Sequence, residues 1–352
     1  MQIKKNILFF LNSSVGGAER ITITIAKMLP IDKYEVKFIV VDKEQGNISK
    51  FIPSTYSVEY LLLPNIWYFG TTRIYNIISR ERPHAVFCST MYLNCRIAIA
   101  AHILHVRCIL RNCNYMSTQR FDKKILCRLA YPLADTVISQ QEEMADDIVK
   151  EIGISRDKIK TLHNPIDLAT INTKLENAEN PYPKDKQTNF VWVARVNRQK
   201  GQDIAIEAFA KMYQKVENAH LYLVGKYDSN SEYVKSLITC INEHDIKERV
   251  HFTGFDTNPY KWILYADCFV LPSRIEGLPN TLIEAQYLGT SAAAVRCIPI
   301  IERIVNDGIN GYTAESENPG SLALAMEKAV RLGRVQMTYK SATDSDFIQL
   351  FE

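Results

Sequence analysis

The stretch Cys268-Phe-Val-Leu-Pro-Ser-Arg-Ile-Glu-Gly-Leu-Pro-Asn-Thr-Leu-Ile-Glu-Ala-Gln-Tyr-Leu-Gly289 decides how the rest of the chain is read. Cys268–Leu271 is a short apolar run, the length of a fully buried strand. A loop carrying Pro272, Gly277 and Pro279 follows, and Thr281–Leu288 reads as a helix. Strand, loop and helix in that order belong to a parallel sheet wrapped by helices. Ligands of such sheets bind beyond the carboxyl ends of the strands, so this loop is a candidate site. Glu276 stands in the loop and Glu284 about one turn into the helix. Gly277, Pro279 and Asn280 tighten the turn and leave the amides of Gly277 to Thr281, proline excepted, to face an anion such as a diphosphate. A carboxylate one turn in suits two ribose hydroxyls, the task an acidic residue performs in dinucleotide sites.

Outward from this stretch the same unit recurs. Asn6–Leu11 reads as a buried strand, Asn12–Gly17 as a polar turn and Ala18–Leu29 as a helix. Further strands are read at Lys37–Val41, Ala85–Cys88, Arg107–Leu110 and Thr136–Ser139. Helices are read at Thr71–Arg82, Asn94–Leu104, Phe121–Tyr131 and Gln141–Ile152. Asp167–Gln187, rich in Asn, Lys, Glu and Pro, reads as a linker. Alternation restarts with a strand at Phe190–Ala194 and a helix at Gln202–Tyr213. Strands at Leu221–Val224 and Val250–Thr253 follow, with helices at Ser231–Glu243, Asn258–Tyr265 and Ser321–Arg331. The pattern predicts an α/β protein of two tandem doubly wound, Rossmann-like domains, 1–170 and 171–334, facing each other across a cleft. The tail, 335–352, is expected to pack back on the first domain.

Composition narrows the function. The chain has 352 residues, 47% hydrophobic and 23% charged, with a formal net charge of +3. That length suits about two domains with well-buried cores. The apolar fraction excludes a disordered chain, and the low charge argues against a nucleic-acid partner. Met1–Leu11 lacks a signal-peptide pattern, and no run approaches the roughly 18 apolar residues of a membrane span. The eight cysteines include no Cys-x-x-Cys pair, and several sit inside apolar runs. Reduced core thiols in a cytoplasmic protein are therefore expected.

Charged and glycine-bearing segments recur where strands end. Arg195 follows the Phe190 strand, and Lys200 stands at the entry to the next helix. Two cations there suit a clamp on a diphosphate, each charge-assisted contact contributing about 1.5–3 kcal/mol. They would also stabilise a departing nucleoside diphosphate. Gly16 and Gly17 lie between strand and helix but lack the third glycine of a dinucleotide fingerprint. Asp344-Ser-Asp346 reads as a solvated turn in a polar tail. Each segment alone also has an ordinary reading, as surface charge or a tight turn.

Together and in order, four segments resemble the retaining glycosyltransferases of family 4 (glycosyl transferases group 1), which have the GT-B fold. They are Ser14-Val-Gly-Gly-Ala-Glu-Arg20, Ala194-Arg-Val196 with Gln199-Lys-Gly201, the Glu276-x7-Glu284 loop, and Asn306-Asp-Gly-Ile-Asn-Gly311. The resemblance covers roughly residues 6 to 330. It implies a hexosyltransferase that moves a sugar from a nucleotide-diphosphate donor, with retention, to a lipid-linked or oligosaccharide acceptor. It implies work in surface-polysaccharide synthesis of the O-antigen or lipopolysaccharide type. Donor-side residues by this resemblance are Gly16, Gly17, Arg195, Lys200, Gly225, Phe255, Glu276, Gly277, Leu278, Pro279, Asn280, Thr281 and Glu284. Arg195, Lys200 and Glu276 are the catalytic candidates. Phe255 is placed near the base by the same resemblance, or is a core residue. No cofactor and no metal are implied, since Arg195, Lys200 and helix amides would meet the phosphate charge.

Two segments depart from the family pattern. Many relatives have a His after the strand corresponding to Arg107–Leu110, where this chain has Arg111-Asn-Cys-Asn114. Arg111 and His163 are the acceptor-side candidates, while His102 and His105 read as helix or turn residues. Gly289-Thr-Ser-Ala-Ala-Ala294 replaces a Pro and β-branched residues with alanine, a poor strand former, so packing there is in question.

Charge is unevenly spread. Residues 60–130 hold ten Lys and Arg against Glu81 and Asp122, alongside Ile66-Trp-Tyr-Phe69, Tyr115 and Met116. A basic surface with aromatics suits an anionic membrane, so peripheral association with its inner face is expected, with Lys123, Lys124 and Arg128 in contact. Scattered helix-face charge is the alternative. Two rival functions share the fold: a sugar-nucleotide epimerase and a catalytically inert partner subunit.

Overall fold

The structure is a computed structural model. It describes every residue except 1–3, 15, 43–45, 64, 65 and 185, and except the side chains of 66–69. The chain forms two units: residues 1–165 with 341–352, and residues 166–340.

The first unit runs β1 (Lys5–Leu11), α1 (Gly17–Met28), β2 (Tyr34–Asp42), β3 (Ser57–Leu62), α2 (Ile66–Glu81), β4 (Ala85–Cys88), α3 (Met91–Leu104), β5 (Arg107–Arg111), α4 (Phe121–Ala130), β6 (Thr136–Ser139), α5 (Glu142–Ile152) and β7 (Ile159–Thr161). Its seven strands are parallel in the order β3-β2-β1-β4-β5-β6-β7. Apolar runs without alternation are what a sheet covered on both faces requires. In β1, Leu8 and Phe10 enter one core with α3 residues, while Ile7, Phe9 and Leu11 enter the opposite core with α1.

The second unit runs α6 (Leu168–Leu175), β8 (Thr188–Val193), α7 (Gln202–Met212), β9 (Ala219–Val224), α8 (Glu232–Glu243), β10 (Val250–Gly254), α9 (Pro259–Leu264), β11 (Cys268–Leu271), α10 (Asn280–Tyr287), β12 (Ala292–Val295), α11 (Ile301–Ile304), β13 (Gly311–Ala314) and α12 (Pro319–Ala329). Six parallel strands lie in the order β10-β9-β8-β11-β12-β13. Again β11 splits its side chains: Cys268 and Val270 face one core, Phe269 and Leu271 the other. A last helix, α13 (Asp344–Ile348), belongs to the first unit, where Phe351 packs against Phe9 and Phe87 at centroid distances of 5.7 and 6.1 Å.

Three expectations need correction. The Asp167–Gln187 segment is not a bare linker: Asp167 caps α6 by accepting from the Thr170 amide at 3.0 Å. Tyr182 is buried against Tyr222 and Trp262, so this segment is part of the second core. The alanine-rich Ala292–Val295 does form a strand, wholly buried. Pairing on both sides, with β11 and β13, overrides the weak propensity of alanine. Asp344 and Asp346 lie in the first turn of α13, where Asp346 and Thr343 form a capping box. All eight cysteines are free thiols. Among the described residues no helix is long and apolar enough to cross a membrane.

Candidate functional site

In the second sheet the order of strands reverses direction between β8 and β11, the point where parallel sheets open a crevice. The loops that leave these two strands are tied together there. The Arg274 amide donates to the Gln199 carbonyl at 2.9 Å, and Gln199 Nε2 donates to the Ile275 carbonyl at 3.2 Å. Arg274 Nη1 and Nη2 hold Asp203 Oδ1 and Oδ2 at 2.8 and 2.7 Å, and Nη1 also donates to the Arg198 carbonyl at 2.8 Å.

Inside this tie sits the pair that spans the two loops. Lys200 Nζ donates to Glu276 Oε1 at 2.7 Å and Oε2 at 2.8 Å, and Ser273 Oγ donates to Oε1 at 2.7 Å. Glu276 is only 8% exposed, and Lys200 is half-buried. Asn197 fixes the Lys200 backbone by accepting from its amide at 3.1 Å. Arg195 lies six residues before Gly201 on the same loop, with its side chain exposed.

Two glycines make this close approach possible. Gly201 has φ +69°, and a Cβ there would sit 2.0 Å from the Pro272 carbonyl oxygen. At Gly225, just past β9, φ is +156° and a Cβ would sit 1.7 Å from the Ala194 oxygen. The Gly225 amide reaches the Gly254 carbonyl at the end of β10, at 2.8 Å. Phe255, next along, is 63% exposed, so it is not a core residue. Its neighbour Asp256 is held by the Trp262 indole at 2.9 Å and by Lys261 at 3.1 Å.

Helix α10 begins at Asn280 with Pro279 as its N-cap and no side-chain cap. Not every amide expected to face an anion does so: the Asn280 amide donates to the Leu278 carbonyl at 3.0 Å. Leu278 is buried in the core, which anchors the loop rather than lining it. Glu284 lies on the fifth residue of α10, half-buried. The Asn306–Gly311 turn is braced by the Asn310 side chain, which accepts from the Asn306 amide at 2.7 Å and donates to the Ile304 carbonyl and to Thr338 Oγ1, both at 3.0 Å.

The first unit has its own reversal point, between β1 and β4. Beyond the carboxyl ends of its strands lies a cavity of about 510 Å³, lined by Glu19, Asp42, Thr90, Tyr92, Asn114 and Leu126 among others. Gly16 is the N-cap of α1 and Gly17 its first residue. The described cavity wall begins one residue later, with Ala18 and Glu19. A Cβ at Gly16 would lie 2.5 Å from Glu19 Oε2, so this glycine makes room for the buried carboxylate. Asn12 Nδ2 and Thr90 Oγ1 donate to Glu19 Oε1 at 3.4 and 3.5 Å.

Arg111, expected at the acceptor surface, is instead 2% exposed. It donates to Cys113 Sγ at 2.9 Å and to Asn164 Oδ1, and burial lowers its pKa. Arg111 therefore braces the cavity wall through Cys113. His163 is half-buried with Nδ1 2.8 Å from the Gln140 carbonyl. Sequence reasoning missed Glu19, Asp42 and Tyr92 in this cavity and the Asp203–Arg274 tie in the other unit. Glu19 carried a signal, an acid two residues after a Gly-Gly pair at a strand end. Val15 and the side chains of Ile66–Phe69 lie outside the described residues, and Met116 is fully buried.

Two parallel α/β sheets, each with its reversal point, are the architecture of the GT-B fold. The chain is similar to the solved structure of Anabaena HepE in complex with UDP, with a TM-score of 0.76 at 20% identity, covering 98% of this chain and 93% of that one. It is also similar to a glycosyltransferase from Rickettsia africae, with a TM-score of 0.76 at 17% identity over 99% and 93% of the two chains. The family described as Glycosyl transferases group 1 matches residues 174–344, and Glycosyltransferase Family 4 matches residues 15–170. The two matches take in nearly the whole chain, which belongs to this glycosyltransferase family. Among relatives, it is 25% identical over 350 residues to the N-acetylgalactosamine-N,N'-diacetylbacillosaminyl-diphospho-undecaprenol 4-alpha-N-acetylgalactosaminyltransferase of Campylobacter jejuni, covering 95% of this chain and 92% of the relative.

Proposed function

We propose that this chain transfers a sugar from a nucleotide-diphosphate donor, with retention of the anomeric configuration, to a lipid-linked saccharide in surface-polysaccharide synthesis. The observation that carries this reading is the Lys200–Glu276 pair at the β8–β11 reversal point, braced by Ser273 and Asn197. A diphosphate entering there meets Lys200, whose ammonium has three donors, two of them directed at Glu276. Exposed Arg195 supplies a second cation, and amides at the start of α10 add partial positive charge. Charge building on the leaving nucleoside diphosphate is then stabilised by groups already in place. Glu284 accepts the ribose hydroxyls, and Phe255 offers its exposed ring to the base. Loosening of the anomeric bond lets the acceptor hydroxyl attack from the face the diphosphate leaves, which preserves the configuration.

The acceptor side of this reading is the first-unit cavity, where Glu19 and Asp42 suit sugar hydroxyls. The lipid-linked acceptor is supported by the Campylobacter jejuni relative, whose name specifies a diphospho-undecaprenol substrate. An acceptor of that kind lies at a membrane, and the basic segment 60–130 supports peripheral docking on an anionic one. A thermal-shift screen against nucleotide sugars, with and without EDTA, tests the donor site. The expected result is a raised Tm with a preferred donor that EDTA does not abolish. No shift with any nucleotide or nucleotide sugar would overturn the donor-site assignment.

A further inference from the structure

Three of the eight thiols line the first-unit cavity: Cys95, Cys113 and Cys127. Cys95 lies on α3 and Cys127 on α4, and their Sγ atoms are 3.8 Å apart. Both residues are 1% exposed, so a small reagent reaches them through the cavity. The same two helices build the wall on either side of the pair, with Met91 and Tyr92 from α3 and Lys123 and Leu126 from α4. Cys113 is placed differently. It accepts from Arg111 at 2.9 Å and donates to the Ser89 carbonyl at 3.3 Å, bonds that hold it in the wall.

The thiols also differ in how readily they ionise. Burial pushes up the pKa of Cys88, Cys108, Cys113, Cys240, Cys268 and Cys297. Cys95 is pushed up first by the hydrogen bond it shares with Cys127, and then by burial. Cys127 moves the other way. The Cys95 hydrogen bond outweighs burial there, and Tyr131 and Lys123 act in the same direction as Cys95. The pair therefore places a nucleophilic sulfur against a resolving thiol, the arrangement of a redox-active dithiol.

We propose that Cys95 and Cys127 form a dithiol site oxidised by hydrogen peroxide, and that their disulfide narrows the first-unit cavity and weakens acceptor binding. The Cys127 sulfur attacks one oxygen of the peroxide and the O–O bond breaks. The other oxygen leaves as water, taking the proton of the Cys127 thiol, and Cys127 becomes a sulfenic acid. The Cys95 sulfur then attacks the Cys127 sulfur and the S–O bond breaks. The hydroxyl leaves as a second water with the Cys95 proton. Both electrons lost by the two thiols go to the peroxide, and an external dithiol restores the thiols by exchange. Bonded sulfurs lie about 2.05 Å apart, so closing the 3.8 Å gap draws the α3 and α4 walls together. The effect on acceptor binding rests on this cavity being the acceptor side, as proposed above.

The full chain is treated with hydrogen peroxide, its remaining thiols are blocked, and its peptides are mapped by mass spectrometry; transfer is then measured against acceptor concentration. The expected result is a Cys95–Cys127 cross-linked peptide that dithiothreitol removes. The acceptor KM should rise at least about fivefold on oxidation and return on reduction, while nucleotide-sugar binding measured by calorimetry stays unchanged. Cys127→Ala and the conservative Cys95→Ser, each compared with itself before and after peroxide, should show no such change. Cys113→Ser should keep the response. Peptide mapping needs no turnover, so it tests the dithiol site separately from the acceptor reading. If no Cys95–Cys127 bond forms, or peroxide drives Cys127 to a sulfinic acid instead, the site is overturned. If the bond forms and the acceptor KM is unmoved, the narrowing is overturned. If the bond forms in a chain that transfers no sugar from any donor, the acceptor reading falls and takes the narrowing with it.

Discussion

At the scale of residues, few groups hold the loops of the proposed donor site in place. Glu276 is taken out of water and compensated by Lys200 and Ser273, so its charge is directed rather than solvated. Removing one member of such a pair leaves the other uncompensated. Asp203 is the residue that fixes Arg274, and through it the loop bearing Glu276. Burial pushes the Asp203 carboxyl upward, but Arg274 and Tyr233 outweigh it and hold its pKa below the usual value. A depressed carboxylate contributes stability that is present above its unfolded pKa and is lost as pH falls through the folded one. The window therefore opens below about pH 4. Asp203→Asn should lower stability at neutral pH by about 1 kcal/mol, the pair being partly exposed, and should flatten the acid limb. Urea unfolding measured across that range checks it, and curves that stay parallel to wild type would contradict it.

At the scale of elements, the loops are shaped by glycines whose neighbours leave no room. Gly201 and Gly225 combine positive φ with carbonyl oxygens 2.0 and 1.7 Å from a notional Cβ. Gly153, at φ +80° with nothing within 4 Å, is the control. Gly153→Ala should cost about 1 kcal/mol, the left-handed penalty alone. Gly201→Ala and Gly225→Ala should cost more, about 2–3 kcal/mol, because backbone must also shift. Nucleotide binding should fall with them and persist in Gly153→Ala, as denaturation and calorimetry would show. Equal costs at the three positions would contradict the packing argument. The same scale explains what was legible in the sequence. β4 and β11 are buried on both faces, so each shows as an unbroken apolar run with matching ends. β3 is a half-exposed edge strand with no such run, and β7 has only three residues. Helix α6 hid in a polar, proline-bearing segment that buries Ile171 and Tyr182, and β12 hid in alanines that its two neighbours make into a strand.

At the scale of the whole molecule, the small net charge conceals a division. Residues 1–170 hold 22 Lys and Arg against 16 Asp and Glu, and the remainder 20 against 23. The loops of the proposed donor site were legible because they follow strand ends, where position in the sequence already fixes position in the sheet. The cavity of the first unit was not, because Glu19, Asp42 and Tyr92 come from three separate elements. Arg111 misled for the same reason: a charged residue at a strand end reads as exposed until Asn164 and Cys113 are seen to bury it. The central claim is that the second unit activates a nucleotide sugar for transfer with retention. It is tested most directly by incubating the full chain with its preferred donor and a polyprenyl-diphosphate-linked saccharide, and reading the product's anomeric configuration by NMR. The expected product keeps the donor's configuration, and folded Lys200→Ala and Glu284→Ala variants form it at least about 100-fold more slowly. An inverted product, or near-normal turnover in either variant, would contradict the account.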